Sequence, residues 1–217
     1  MRSDFVSLLA GWSLLTMASA EPYVAVDPAR DTQPSIVVWL DSDTLSQPRL
    51  HPASPEAKLR DAVWFLQEGI QRMTGKSLEV TRGEAGAKGI VLSLLTEELS
   101  RDPEVATALK NDGSDGYNDR EAFFLRSETD RLLVVANTAD GIAAAVPTLL
   151  ESVDYEVLGM GPNWIHVPEG REKLVFDLKQ SGRPGYYLRQ LTPTSGQSYG
   201  VGTINVGPKM SLNDPAD

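Results

Sequence analysis

The segment between Ser54 and Gly75 carries the feature that most restricts the fold, a long helix with one apolar face. The apolar residues recur at spacings of four, three, four and three, and they are Leu59, Val63, Leu66, Ile70 and Met73. Ser54 is a suitable N-cap, Pro55 fits the first turn, and Gly75 can end the helix. Because a helix of this kind buries its apolar stripe, the chain must supply a second layer of structure against it.

The rest of the pattern predicts a sheet and a second long helix. The run 35–40 is continuous, apolar and rich in β-branched residues, which suits a strand covered on both faces. Thr138 can cap a helix with a second apolar face, and Pro147 should kink that helix near the carbonyl of Ala143. Shorter strands are predicted at 77–81, 89–95, 121–126, 131–136, 155–158 and 174–176, with one or two helical turns within 96–110.

The predicted order is therefore β-α-β-β-(α)-β-β-α-β. This order describes an α+β fold in which a mixed β-sheet carries two long helices on one face, an α/β two-layer sandwich.

The composition excludes several classes of protein. The chain has 217 residues, no cysteine and 41% hydrophobic residues, which argues against a disordered chain, a disulfide scaffold, a thiolate zinc site and a cysteine nucleophile. Lys and Arg number 20 against 30 Asp and Glu, so the basic excess that a nucleic-acid surface needs is missing. We expect neither a nucleic-acid partner nor a cofactor.

Residues 1–20 have the pattern of a cleavable signal peptide. Arg2 precedes the apolar stretch 5–17, and the small residues 18–20 suit a signal peptidase, so cleavage is predicted after Ala20. The apolar run is too short to span a bilayer, and no cysteine follows it to carry a lipid. We therefore expect a secreted or periplasmic protein without a membrane anchor.

The chain after the leader is divided into three predicted parts. Residues 21–34 form a flexible lead, because they contain proline and aspartate and show no period. Residues 35–180 form the folded domain. Residues 181–217, rich in Gly, Ser and Asn towards the end, form a linker or the start of a further domain.

The sequence contains no recognisable motif for catalysis or metal binding. The stretch 111–119 is rich in oxygen ligands but fails the EF-hand spacing, which favours a solvated loop over adventitious calcium. His51 and His166 form neither a zinc motif nor a Ser-His-Asp set, and the pair Glu97 and Glu98 suits a solvated surface. No catalytic and no metal-binding residue is predicted.

One set of short sequences suggests a family. The set comprises Met73-Thr74-Gly75, Leu78, Ala122-Phe123-Phe124-Leu125, Leu132-Leu133-Val134-Val135-Ala136, Thr138-Ala139-Asp140-Gly141, Ala143-Ala144-Ala145, Leu149-Leu150-Glu151, Tyr155, Trp164 and Pro168. Together these residues resemble the N-terminal accessory domain of secreted glycoside hydrolases, as in family 67 α-glucuronidases, family 20 β-hexosaminidases and related uncharacterised bacterial proteins. The resemblance covers about 35–177.

The resemblance implies a non-catalytic accessory domain of a secreted carbohydrate-active enzyme. Its partner would be a catalytic (β/α)₈ barrel of the same polypeptide, for which the residues after 180 are too few, since a barrel takes about 250. The substrate-assisted hexosaminidases use an adjacent Asp-Glu pair, and this dipeptide does not occur in the sequence. We therefore expect no catalysis from this chain alone, although its parent protein would act on glycosidic bonds.

Three residues are candidates for contact with a carbohydrate. The segment 184–189 resembles the lead into the first barrel strand, where the arginine often holds substrate hydroxyls, so a sugar-binding role is carried over to Arg189. Trp164 and His166 are candidates for contact with a sugar or with a neighbouring domain.

Two other functions stay open. A free-standing secreted carbohydrate-binding module would place exposed aromatic residues on one surface, with candidates Trp39, Trp164, Tyr186 and Tyr187. A small hydrolase with an unrecognised site would need a cleft that holds two carboxylates within reach of one another.

Overall fold

The computed structural model describes residues 20–47, 50–109, 119–158 and 164–183. The helices are α1 Ser42–Leu45, α2 Pro55–Thr74, α3 Pro103–Ala108 and α4 Ala139–Glu151, with 3₁₀ turns at Leu99–Arg101 and Asp119–Glu121. The strands are β1 Tyr23–Val26, β2 Ile36–Val38, β3 Val80–Arg82, β4 Gly89–Leu94, β5 Phe123–Ser127, β6 Arg131–Ala136, β7 Glu156–Val157, β8 Ile165–His166, β9 Leu174–Phe176 and β10 Lys179–Gly182. Among the helices of these ranges, none has the length and hydropathy of a membrane span.

Six strands form one mixed sheet in the order β10-β5-β6-β4-β2-β3. Strands β3, β2, β4 and β6 are parallel, whereas β5 runs antiparallel to both of its neighbours. Two further pairs, β1 with β9 and β7 with β8, form separate two-stranded antiparallel ribbons. The predicted fold class, a mixed sheet with two long helices, is confirmed.

Helix α2 begins and ends where its capping residues predict. The Ser54 hydroxyl accepts a hydrogen bond from the N–H of Ala57, and Gly75 adopts a left-handed φ of 72° while its N–H donates to the carbonyl of Gln71. The five residues of the predicted stripe are all buried. The helix therefore lies with its apolar face against the interior of the domain.

Helix α4 also starts at its predicted cap. The Thr138 hydroxyl accepts from the N–H groups of Asp140 and Gly141. Pro147 lies inside the helix, which continues to Glu151. The helix follows β6 directly, so its first turn sits beside the carboxyl edge of the sheet.

The sheet has a packed layer on each face. Because successive strand residues point to opposite faces, Ile90 and Leu92 of β4 belong to the core shared with α2 and α4, and Val91 belongs to the other side. On that second side, Val105 of α3 and the neighbouring Leu109 are buried against the sheet. The two long helices thus share one face, as predicted, and the short α3 packs on the opposite face.

The lead at 21–34, predicted to be flexible, contains strand β1, and this part of the prediction needs correction. Tyr23 and Val26 are buried, and β1 pairs with β9 with Tyr23 opposite Phe176. The Gln33 side chain closes the following turn, because it accepts from the N–H of Asp27 and donates to the Asp27 carbonyl. Strand β1 has four residues, and its partner β9 lies about 150 positions away in the sequence. The local sequence is therefore too short to show the alternation from which a strand is predicted.

Two further strands lie where loops or a linker were expected. Ile165–His166 forms β8 in the loop expected between the strands predicted at 155–158 and 174–176, and Lys179–Gly182 forms β10, which pairs with β5 and runs past the predicted domain end at 180. The segment 41–53, which was expected to be a polar connection without helix or strand, also contains the single-turn helix α1. Each of these elements is held by its neighbours rather than by its own sequence pattern.

Replacement of Gly141 tests how tightly α4 is seated on the sheet. A Cβ at this position would lie 2.6 Å from the Ala136 Cβ and 2.7 Å from the Ala122 carbonyl oxygen, which is fixed backbone. We expect Gly141→Ala to lower the free energy of unfolding by about 1–2 kcal/mol, because overpacking outweighs the roughly 1 kcal/mol that alanine adds to a helix. Urea unfolding measures this change. The control is Gly86→Ala, where a Cβ meets nothing within 4 Å, and equal stability of the two variants would contradict the packing account.

Candidate functional site

The carboxyl edge of the parallel strands is the place where open α/β sheets commonly bind ligands. In this protein, Asp140 in the first turn of α4 lies there between two cations. Its Oδ1 contacts Nζ of Lys58 in α2, and its Oδ2 lies 2.6 Å from Nε of Arg120. The Lys58 and Asp140 side chains are only 9% and 12% exposed. Asp140 therefore joins α2, α4 and the turn before β5, and both of its oxygens are in use.

A second ion pair lies at the same edge. The carboxylate of Asp119 is buried, and its Oδ1 lies 2.9 Å from Nη1 of Arg183, the residue after β10. The Asn137 side chain donates to the carbonyls of Asp119 and Leu109, at 2.8 and 3.2 Å. These contacts tie the ends of β6 and β10 to the turn before β5.

A third cluster surrounds Arg126 on β5. Its guanidinium contacts the carboxylates of Asp102, Glu104 and Glu128. Burial alone raises the pKa of Asp102, but hydrogen bonds from Arg126 and from the backbone N–H of Glu104 outweigh it, so the pKa lies below its usual range. Burial also raises the pKa of Glu128, but hydrogen bonds from Arg131 and Arg126 outweigh this effect, so the pKa of Glu128 is lowered as well. Asp102 and Glu128 are thus anionic partners of arginine, whereas a glycosidase acid needs a raised pKa.

The β7–β8 ribbon has a different character, because one of its faces carries exposed apolar groups. Val157 lies opposite Ile165, and both pack against the main core. Since side chains alternate across a strand, the other face consists of the residues on either side of this pair. We call it the outer ribbon face, formed by Glu156, Leu158, Trp164 and His166, all of which are exposed.

The four residues of the outer ribbon face form two cross-strand pairs. Glu156 lies opposite His166 in the ladder. The N–H of Leu158 donates to the carbonyl of Trp164 at 2.7 Å, which places these two residues opposite each other. Leu158 is 65% exposed and Trp164 is 58% exposed. An apolar pair therefore lies next to a polar pair on one surface.

The end of α4 holds the ribbon in place. Asp154 has a φ of 64°, its N–H donates to the carbonyl of Glu151, and the N–H of Tyr155 donates to that of Leu150, which is the pattern of a Schellman motif. Tyr155 is buried and meets Phe65 of α2 edge to face, with ring centroids 5.7 Å apart. The ribbon begins at the next residue, so its position follows from this anchor.

The chain that leaves the ribbon is anchored as well. The Arg171 N–H donates to the carbonyl of Met73 near the end of α2, and its guanidinium forms an ion pair with Asp154. Both ends of the ribbon segment are therefore joined to the helical layer.

The structure brings two of the three predicted carbohydrate-contact residues together. Trp164 and His166 share the outer ribbon face, whereas Arg189 lies outside the described residues, as do Tyr186 and Tyr187. Trp39 is partly buried against the main core and contributes packing. The stretch 110–118, which contains most of the oxygen-rich loop, also lies outside the described part of the chain.

Sequence reasoning missed Glu156 and Leu158. Their place on the face depends on pairing with β8, which was predicted to be a loop, and the alternation of 156–158 was the only local signal.

Within the ranges that the structure describes, no group of three or more His, Asp or Glu side chains is suited to a metal ion. Of the large hydrophobic side chains in the described residues, the two most exposed, Leu158 and Trp164, both lie on the ribbon.

Comparison with protein families and with curated proteins found no match. Among solved structures, the chain is similar to a GH20 β-N-acetylhexosaminidase from Streptomyces coelicolor A3(2), with 20% identity and a TM-score of 0.35 over 60% of this chain and 18% of that one. It is also similar to a GH20 exo-β-N-acetylglucosaminidase from Vibrio harveyi in complex with N-acetylglucosamine, with 15% identity and a TM-score of 0.39 over 79% of this chain and 18% of that one. The chain thus spans less than a fifth of the length of these enzymes, and the likeness in fold is distant.

Removal of the Asp140 charge tests whether the carboxyl edge is structural. We expect Asp140→Asn to lower the free energy of unfolding by about 3 kcal/mol, because Lys58 would remain buried without its counter-charge. Urea unfolding measures the loss, and the double variant Lys58→Met, Asp140→Asn should recover much of it. The matched control is Asp130→Asn, whose ion pair with Lys88 is 62% and 80% exposed and contributes little. A cost no larger than that of the control would contradict a structural role for Asp140.

Proposed function

We propose that this chain is the non-catalytic N-terminal accessory domain of a secreted glycoside hydrolase, supporting a catalytic barrel elsewhere in the same polypeptide. The observation that carries the proposal is the use of acidic side chains at the carboxyl edge of the sheet. Asp140 and Asp119 are buried among the structural elements and paired with Lys58, Arg120 and Arg183.

Glycoside hydrolysis makes demands that these carboxylates do not meet. Two carboxyl groups must flank the scissile bond, one of them protonated at working pH, with space for a sugar between them. Asp140 instead lies between Lys58 and Arg120, and the pKa of Asp102 and that of Glu128 are both lowered. Cationic partners favour the ionised form, which suits scaffold contacts better than proton donation.

The resemblance of 35–177 to accessory domains of glycoside hydrolases supplies the class of the parent enzyme. Strand β1 extends the expected domain before 35 and β10 extends it to Gly182. Residues from 184 onwards would then connect the domain to the barrel, with Arg189 near the start of the barrel.

The experiment compares two lengths of the protein on chromogenic substrates. The coding sequence is read past Asp217, and the 217-residue chain and any longer product are assayed on 4-nitrophenyl N-acetyl-β-glucosaminide and 4-nitrophenyl β-glucoside. We expect turnover only from the longer polypeptide. Turnover by the purified short chain at a rate that rises with its concentration would contradict the proposal, and so would a stop codon directly after Asp217.

Export is part of the proposal, and the position of β1 supports the expected cleavage site. Because β1 begins at Tyr23, cleavage after Ala20 would leave the strand intact. We expect protein recovered from the periplasm or medium of a bacterial host to begin at Glu21, as measured by mass spectrometry of its N-terminal peptide. The variant Ala20→Leu should accumulate unprocessed, because a large residue blocks the cleavage site. Export would be contradicted if the unchanged protein and the Ala20→Leu variant were both found in the cytosol with the leader still attached.

A further inference from the structure

We infer that the outer ribbon face binds the pyranose ring of a neutral glycan, with Trp164 as the stacking surface and Glu156 and His166 as hydrogen-bond partners. This function goes beyond the supporting role proposed above and does not require it. The inference rests on the arrangement of the four exposed side chains, on the small size of the face and on its fixed position.

The arrangement places an apolar surface next to polar groups at the scale of one sugar ring. Leu158 and Trp164 lie directly opposite each other, as do Glu156 and His166. Cross-strand neighbours have Cβ atoms about 5 Å apart, and successive pairs on one face are separated by roughly 7 Å along the strands. The two pairs therefore cover an area similar to that of a single hexose.

The chemistry of the four groups matches a sugar ring. A pyranose presents an apolar face of C–H groups and a rim of hydroxyls that both donate and accept hydrogen bonds. The indole of Trp164 and the side chain of Leu158 can cover the apolar face, since an aromatic ring supplies a flat, weakly polar surface. The Glu156 carboxylate accepts from hydroxyls, and the His166 imidazole can donate or accept.

The size of the face favours a sugar over a protein partner. A stable protein–protein contact covers about 800 Å² on each partner and involves about 20–30 residues a side. The outer ribbon face offers four side chains, those of Glu156 and His166 on the two strands and those of Leu158 and Trp164 in the residues next to them. A compact group the size of a hexose fills such a face, whereas a protein would need additional surface.

The fixed position of the ribbon favours binding because little ordering is required. The inner pair Val157 and Ile165 packs against the main core, and Tyr155 and Arg171 tie the two ends of the segment to the helices. A site that is already ordered loses less conformational entropy when its ligand binds.

The test is isothermal titration of the protein with cellotriose and with N,N′,N″-triacetylchitotriose, two neutral glycans whose equatorial substituents leave flat C–H faces. We expect saturable binding of at least one of them. Trp164→Ala should weaken that binding by about tenfold or more, equivalent to at least 1.4 kcal/mol. Glu156→Gln and His166→Ala should each weaken binding without changing the thermal midpoint, since both side chains are exposed.

The matched control is Trp64→Ala, which removes another partly exposed tryptophan that belongs to α2 and not to the ribbon. Its affinity should equal that of the unchanged protein. Absence of saturable binding by either trisaccharide, or equal affinity of the Trp164→Ala variant, overturns the inference. Sedimentation that shows a dimer abolished by Trp164→Ala also overturns it, because the face would then be a protein interface.

The outcomes for the two proposals are separable. If the longer polypeptide hydrolyses glycosides but the 217-residue chain binds no glycan, the ribbon site is refuted and the accessory role is not. Turnover by the short chain refutes the accessory role alone.

Discussion

The close approach of α2 to α4 at Gly69 is the contact on which the positions of the other elements depend. A Cβ at Gly69 would lie 2.9 Å from Cδ1 of Leu150 and 3.6 Å from the ring of Tyr155, so glycine leaves room for the Leu150 side chain against the backbone of α2. Leu150 and Tyr155 are also the two ends of the Schellman hydrogen bond that closes α4. The same contact thus joins the two long helices and positions Tyr155, after which the chain enters the β7–β8 ribbon.

The described residues include two contrasting groups, the ion pairs at the carboxyl edge and the exposed side chains of the outer ribbon face. At the carboxyl edge, Lys58 and Asp140 form a largely buried ion pair to which the half-exposed Arg120 adds a second cation, and a buried pair is costly to break once its partners are desolvated. On the outer ribbon face, Trp164 and Leu158 remain exposed although they are the kind of side chain that folding normally buries. An exposed apolar pair on an anchored segment is better explained by a ligand than by stability.

The elements with a strong local signal could be predicted from the sequence. Helices α2 and α4 carry their own caps and apolar faces, and β6 is a continuous apolar run, so local sequence is sufficient for them. Strands β1 and β10 escaped prediction because they are short and their partners are distant in sequence, whereas β8 escaped because it has only two residues. Trp164 and His166 were candidates from the sequence, Trp164 as part of the family resemblance and His166 as its neighbour in the sequence, and their contact with a sugar stays a prediction. Glu156 and Leu158 were not, because only the register of the ribbon places them on the same face.

The most direct test of this division of roles is a nitrogen-15 NMR titration of the whole chain with N,N′,N″-triacetylchitotriose and cellotriose. We expect saturable shifts of the indole N–H of Trp164 and of the backbone amides of Glu156, Leu158 and His166. The amides around Lys58, Arg120 and Asp140 should stay in place. Shifts centred on the carboxyl edge, with the ribbon unchanged, would contradict the account, because the ligand would then occupy the region assigned here to structural ion pairs.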